Sequence, residues 1–519
     1  MARVERPSGL RITFPDALEP VPPEQPRTRG SPAPAESSAD RQADDALLDA
    51  LESQGLAILA REELVASAPS GLRGRRTEET SDITVSVPVE SGEDAVVLTE
   101  QDGVYAWSFG DAPVSQTRGA ARRGERTIRV ATPEGPSGAE QSTLRGPVRD
   151  ALIGRVRMFV MKFAARAVTG RILDRLERDV RRGIIRIASD DPTSWTHGAG
   201  ANGALELRTD RPVRLLLFIH GTFSSTAGAF GTLGAFEWGR EFIARALAGY
   251  DAVIGFDHRT LSVDPRTNAT ELLDALRELN LPFAPHIDVI THSRGGLVYR
   301  SLAELVLPGI AEQLRPQTER VLFVGVPNAG TTLADPEHWR DMVDLYTNIA
   351  VGACRTIGKV PQARVVTTIL SEAIQGMASL VKALAQQALE SGDVPGLSAM
   401  RPGGDFIREL NKKQRGQPRP DGTFYGAITS EFTARLGSPH EPPELPRRLL
   451  MGLVDRLADR VLHEANDLVV NTASMTAIDG NDAFIKDRLH FERTPHIYHT
   501  NYFARKEVAA AMRRWLDLT

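Results

Sequence analysis

The stretch His286-Ile-Asp-Val-Ile-Thr-His-Ser293-Arg-Gly-Gly-Leu-Val-Tyr-Arg300 decides how the chain is read. The apolar run Ile287 to Ile290 is followed within three residues by a serine, and then at once by a helical pattern. A serine on so tight a strand-to-helix turn is held clear of the sheet. The helix N-terminus behind it offers unpaired N–H groups and a positive dipole to developing negative charge. Gly295 and Gly296 supply the small residues needed where the two backbones close on one another. Thr291 takes the first small position, where glycine is usual, so the turn is expected to be roomier or strained.

Working outward, three more apolar runs flank this one: Leu215 to Ile219, Ala252 to Phe256 and Val321 to Val326. Helical patterns lie between them, at Ala269 to Leu279 and Gly295 to Val306. Continuously apolar strands alternating with helices imply an α/β fold whose mostly parallel sheet is covered on both faces.

Four segments in order strengthen that reading: Phe218-Ile-His-Gly-Thr-Phe-Ser-Ser225, then Thr291-His-Ser-Arg-Gly-Gly296, then Val324-Gly-Val-Pro-Asn-Ala-Gly-Thr-Thr-Leu333, then Met400-Arg-Pro-Gly-Gly-Asp-Phe-Ile-Arg-Glu-Leu-Asn411. With them, residues from about 211 to 519 resemble an α/β-hydrolase, closest to bacterial lipase-like enzymes and GPI-inositol-deacylase-type lipases. The resemblance implies a Ser-His-Asp esterase with Ser293 as nucleophile. It implies an oxyanion hole from the backbone N–H groups of Thr222 and Arg294, with Phe223 the competing donor; His220 is expected to tie loops together. Asn466-Asp-Leu-Val-Val470 resembles the family's Asn-Asp-Gly-Val-Val acid loop, which makes Asp467 the orienting carboxylate, with Asp455 and Asp482 as rivals. In Arg493-Thr-Pro-His-Ile-Tyr-His499, His499 is the expected base, with His496 as the alternative and His490 behind it. His292 is expected to point away from the site.

Almost a hundred residues separate Val326 from the next strand, near Thr423, which is too many for a simple connection. Two helical stripes fill them, and from Val365 to Leu389 only Glu372 and Lys382 are charged. A helical cap over Ser293 is expected at about 334–420, its apolar face meeting either an acyl substrate or its own domain.

The N-terminal part is read separately. Residues 1–45 carry eight prolines and few large apolar groups, so a disordered Pro-rich tail is expected. Residues 46–200 are expected to form an extension. It starts with an amphipathic helix near Asp44 to Leu64. A β-rich module follows, from Ile83–Val87, Ala95–Thr99, Val104–Phe109 and Thr127–Ala131. Last comes a basic amphipathic helix over 149–182; the stretch from Leu144 to Arg186 that contains it has a net charge of +8, which suits a peripheral membrane or protein partner. The hydrolase domain is expected at 201–519.

Composition sets the outer limits. The 519 residues are 41% hydrophobic and 25% charged, with a formal charge of −5, which argues against nucleic acid as the main partner. The single cysteine, Cys354, excludes an intrachain disulfide and suits the cytoplasm. No secretory leader or apolar run of membrane-spanning length is seen, no metal-ligand spacing is found and no cofactor is expected. The expected activity is hydrolysis of acyl or lipid esters. The alternative is an effector or interaction protein whose hydrolase domain is latent and whose N-terminal region binds a partner or membrane.

Overall fold

Strand β12 (Arg214–Ile219) shows why the central runs are apolar throughout. Leu216 and Phe218 enter one buried cluster, while Leu215, Leu217 and Ile219 enter another on the opposite face. Both faces of the sheet are covered by helices, so the period-two signal vanishes. The computed structural model describes residues 1–16, 18–21, 38–66, 83–101, 103–110, 124–130, 155–165, 177–178, 180–198, 207, 210–357, 363–386, 394–412, 422–433, 464–480 and 482–518.

From the N-terminus, the chain forms β1 (Ala2–Glu5), β2 (Arg11–Phe14), β3 (Leu18–Pro20), helix α1 (Ser38–Ser53), β4 (Ala57–Ala66), β5 (Ile83–Val89), β6 (Glu93–Gln101), β7 (Val104–Phe109), β8 (Gly124–Val130) and β9 (Arg155–Ala164). Two sheets result, in the orders β1-β2-β5-β8 and β3-β4-β9-β6-β7. Ile12, Phe14, Val85, Ile128, Met158 and Val160 share the core between them.

Three expectations for this region are corrected. Residues 1–16 and 18–21 hold three strands rather than a disordered tail, because the few apolar side chains there, Leu10, Ile12 and Phe14, fall at period two and are buried. The helix expected to Leu64 ends at Ser53; Gly55, at φ +75°, turns the chain into β4. The basic helix expected over 149–182 is not formed in its described part, because β9 lies inside the five-stranded sheet between β4 and β6. Val156, Met158 and Val160 face the sandwich core; Phe159, Met161 and Phe163 face the other way. Its cations are paired within the protein: Arg157 with Asp44 at 2.7 Å and Glu100 at 2.6 Å, and Arg155 with Glu63 at 2.7 Å. Residues 149–154 and 166–176 of that stretch lie outside the described residues.

The large sheet begins earlier than the expected boundary at 201. Strands β10 (Gly183–Arg186) and β11 (Thr196–His197) precede β12, and β13 (Ala252–Asp257), β14 (His286–His292), β15 (Gln317–Val324), β16 (Phe424–Phe432) and β17 (Asp487–Thr494) follow it. The order is β11-β10-β13-β12-β14-β15-β16-β17, with β10 antiparallel to its neighbours and every pairing from β13 to β17 parallel. Helix α2 (Glu237–Gly249) packs on one face, and α3 (Pro265–Arg277) and α4 (Gly295–Ser301) on the other.

Between β15 and β16 lie the long helices α5 (Trp339–Ile357) and α6 (Ala363–Ala385); α7 (Lys506–Trp515) packs beside α2. Ile374, Met377, Leu380 and Val381 of α6 are buried in one cluster with Leu47 and Leu51 of α1, and with Val96, Tyr105 and Trp107 of the N-terminal sheet. The low charge of α6 is thus accounted for by packing inside the protein. Among the described residues, no helix is long and apolar enough to cross a membrane.

Candidate active site

Ser293 sits between β14 and α4 with φ +52°, and its amide donates to Val324 O at 2.9 Å. Thr291, in the place of the usual glycine, is accommodated by turning its hydroxyl to Leu322 O at 3.2 Å. The closeness of the elbow is visible in its glycines. A Cβ on Gly295 would lie 2.2 Å from Ile219 O, and one on Gly296 2.4 Å from Val326 Cγ1. From the end of β12, Gly221 closes on the serine, since a Cβ there would stand 2.6 Å from Ser293 Cβ.

Asp467 and His499 meet at the carboxyl ends of the neighbouring strands. Asp467 lies on the segment after β16 and His499 on the loop after β17. The carboxylate is fully buried: Oδ1 accepts from the amides of Val469 and Val470 at 3.1 and 2.8 Å, while Oδ2 accepts from His499 Nδ1 at 2.8 Å and from the Tyr502 hydroxyl at 2.9 Å. A second tie runs from the His499 amide to Asp467 O at 3.0 Å. With Nδ1–H donated to the carboxylate, His499 Nε2 carries the lone pair, and this atom is buried without a protein partner.

Ser293 and this pair are joined through their neighbours. His292 donates from Nε2 to His499 O at 2.8 Å, its ring 4.9 Å from that of His499. His292 therefore braces the site instead of pointing away from it. Burial, first, and the adjacent imidazole of His499, second, lower its pKa to about 3, which keeps it neutral. Gly325, at φ +58°, follows the carbonyl that holds the Ser293 amide. A Cβ there would lie 3.2 Å from Asp467 Oδ2 and 3.3 Å from His499 Cε1.

The other candidates fall elsewhere. His496 is half-buried and its carbonyl accepts from Asn501 Nδ2 at 2.8 Å. His490 lies on β17 with Nδ1 2.9 Å from Thr429 Oγ1. Asp482 is exposed, and Asp455 lies outside the described residues. His220 is buried, stacked on His258 at 4.1 Å, and accepts at Nε2 from the His258 amide at 3.2 Å. Thr222 is buried, and the competing Phe223 amide is taken by Thr260 Oγ1 at 3.3 Å. Arg294 opens α4, and its buried guanidinium reaches Asn268 Oδ1 at 2.9 Å and Gly396 O at 3.3 Å; burial lowers its pKa to about 10. Tyr502 was missed at the sequence level, where it reads as one more core aromatic before the last helix.

Ser293 directly follows β14, Asp467 lies on the segment after β16 and His499 on the loop after β17, so all three stand at the carboxyl ends of parallel strands. The chain belongs to the family described as "Domain of unknown function (DUF7379)", matched over residues 182–517; a second such family, "Domain of unknown function (DUF7362)", matches residues 8–163. No curated protein sequence matches significantly. Among solved structures, the chain is similar to the mature lipase BlEst2 of Bacillus licheniformis (14% identity, 60% of this chain and 95% of that one, TM-score 0.33). It is also similar to lipase 1 of Pelosinus fermentans (13%, 58% and 99%, 0.35) and to phospholipase PlaB of Legionella pneumophila (14%, 50% and 45%, 0.30).

Proposed function

We propose that the protein is a cytoplasmic serine-dependent carboxylic ester hydrolase acting on acyl or lipid esters. The observation that carries this reading is the buried Asp467–His499 hydrogen bond, which leaves Nε2 unpartnered on a ring joined to the strained Ser293 elbow through the His292–His499 contact. Ser293 Oγ attacks the acyl carbonyl while His499 Nε2 takes its proton; the imidazolium then protonates the leaving alkoxide, and water releases the acyl enzyme. The amides of Thr222 and Arg294 hold the oxyanion. A fluorophosphonate probe should label Ser293 in the native chain, and p-nitrophenyl esters of increasing length should be hydrolysed. Ser293→Ala is expected to abolish labelling and to lower kcat on the order of 10⁶-fold. Parent-like hydrolysis by that variant refutes the reading.

A second reading, a latent hydrolase gated by the N-terminal region, is favoured by the burial of Ser293, which is 3% exposed. It is separated from the first by whether loosening the N-terminal contact raises or lowers turnover.

A further inference from the structure

Among the described residues, seven non-glycine positions have a positive φ, and three of them stand at the site: Phe223 at +53°, Ser293 at +52° and Leu468 at +79°. Ser293 needs that conformation to turn from strand to helix. Phe223 makes no such turn, and Leu468 stands in the tight turn that folds the Val469 and Val470 amides back onto Asp467 Oδ1. Phe223 directly follows Thr222, whose amide faces the nucleophile in the reading above, and Leu468 directly follows Asp467. Glycine would take either conformation without strain, whereas a side chain holds it only where its surroundings over-determine the backbone.

Phe223 (1% exposed) and Leu468 (3%) are members of the one buried cluster to which α5, α6 and the N-terminal sheet contribute. The Phe223 ring meets Tyr346 of α5 edge-on, with centroids 4.9 Å apart and planes at 80°. Helix α6 comes so close at Gly376 that a Cβ there would lie 2.7 Å from Phe223 Cα. On its other side, the Phe223 amide is held by Thr260, whose own amide, with those of Leu261 and Ser262, donates to the buried carboxylate of Glu177 at 3.1, 3.0 and 2.7 Å. The backbone at Leu468 is fixed by Asn466 Oδ1, which accepts its amide at 2.8 Å.

We infer that Phe223 and Leu468 are positioning residues: their buried side chains fasten the Thr222 amide and the Asp467 carboxylate to a core supplied by α5, α6 and the N-terminal sheet. On this view the N-terminal region is part of the catalytic geometry. The inference rests on the triad reading above. Its mechanism is displacement, since a misplacement of about 1 Å at a reacting centre costs on the order of 100-fold in rate.

The test uses the full chain and separates kcat from KM on a short p-nitrophenyl ester, well below each variant's melting temperature. Phe223→Gly and Leu468→Gly both relieve the backbone and remove the anchor. Each is expected to lower kcat by roughly 10- to 100-fold with KM within about twofold, and Leu468→Met is expected to recover most of the kcat lost in Leu468→Gly. Should the glycine variants fold poorly, Tyr346→Ala against Tyr346→Phe asks the same question. The ring-keeping variant is expected near parent kcat and the alanine variant at least tenfold below it. Glycine variants that keep parent kcat overturn the inference, as does equal slowing by Tyr346→Phe and Tyr346→Ala, which would put the hydroxyl to work instead of the ring. A parent chain without Ser293-dependent turnover overturns the triad reading together with this inference. Parent turnover with unaltered variants overturns the inference alone.

Discussion

The hydroxyl of Tyr502 donates to Oδ2 of Asp467 at 2.9 Å, the same oxygen that accepts Nδ1–H of His499 at 2.8 Å. Burial, reinforced by the charge of Asp467, pushes the ionisation of Tyr502 well above its ordinary value, so it remains a donor. The carboxylate thus takes four hydrogen bonds in a fully buried place, which fixes it opposite the imidazole. Tyr502→Phe removes one of the four. A hydrogen bond to a charged group is worth about 1.5–3 kcal/mol, so we expect kcat to fall by at least about tenfold and stability by a similar free energy. Steady-state kinetics with a p-nitrophenyl ester and a denaturant titration read both; unchanged kcat would mean that the two amides and His499 suffice.

Stability against pH tests the neutral state of His292. Its folded pKa is lowered to about 3 by burial and by His499, against about 6.5 unfolded. Between these values the unfolded chain binds the proton and the folded chain does not, so stability is complete above about pH 6.5 and is lost as pH falls toward 3. The slope from this one group is about 1.4 kcal/mol per pH unit at its steepest. His220 and His258, also lowered by burial, act in the same direction. Urea midpoints from pH 8 to pH 4 should fall steadily, and His292→Gln should flatten the curve; a midpoint independent of pH contradicts the assignment.

The elbow glycines separate folding from catalysis. In Gly295→Ala the new Cβ would meet the rigid Ile219 carbonyl at 2.2 Å, and a loss of about 3 kcal/mol or more is expected. In Gly221→Ala the nearest atom is Ser293 Cβ at 2.6 Å, so the nucleophile itself is moved. Here labelling of Ser293 by a fluorophosphonate should slow by more than about tenfold while the melting temperature changes less than in Gly295→Ala. The opposite ranking would place the crowding elsewhere.

What the sequence made legible followed burial. The strands around Ser293 carry long apolar runs because both sheet faces are covered, and the loops bearing Ser293, Asp467 and His499 carry distinctive local chemistry. Strand β17, by contrast, is Asp487-Arg-Leu-His-Phe-Glu-Arg-Thr494 at the edge of the sheet, too polar to announce itself. Strand β9 misled in the other direction. With apolar residues on both faces it lost its alternation, and its arginines imitated a solvated helix face while being paired with Asp44, Glu63 and Glu100. The contact of the N-terminal sheet with α5 and α6 was not legible, because no local pattern says which partner an apolar face will meet.

That contact supplies the last prediction. Strand β7 is the outer strand of its sheet, and side chains of α5 cover its edge. Asn348 donates from Nδ2 to Tyr105 O and accepts at Oδ1 from Tyr105 N, both at 2.7 Å; Asp344 Oδ1 accepts from Trp107 N at 2.7 Å, and Thr347 Oγ1 from Trp107 Nε1 at 2.9 Å. Asn348→Ala removes two of these bonds between buried groups, at a cost of about 2–3 kcal/mol in stability. Its effect on turnover divides the two functional readings, because α5 also carries Tyr346 against Phe223. If the N-terminal sheet holds the site shut, loosening α5 should raise kcat on a short ester; if the sheet steadies the loop that follows β12, kcat should fall. We expect the fall, several-fold at a temperature where the variant is fully folded, with KM little changed. A rise in kcat in Asn348→Ala would favour the latent enzyme.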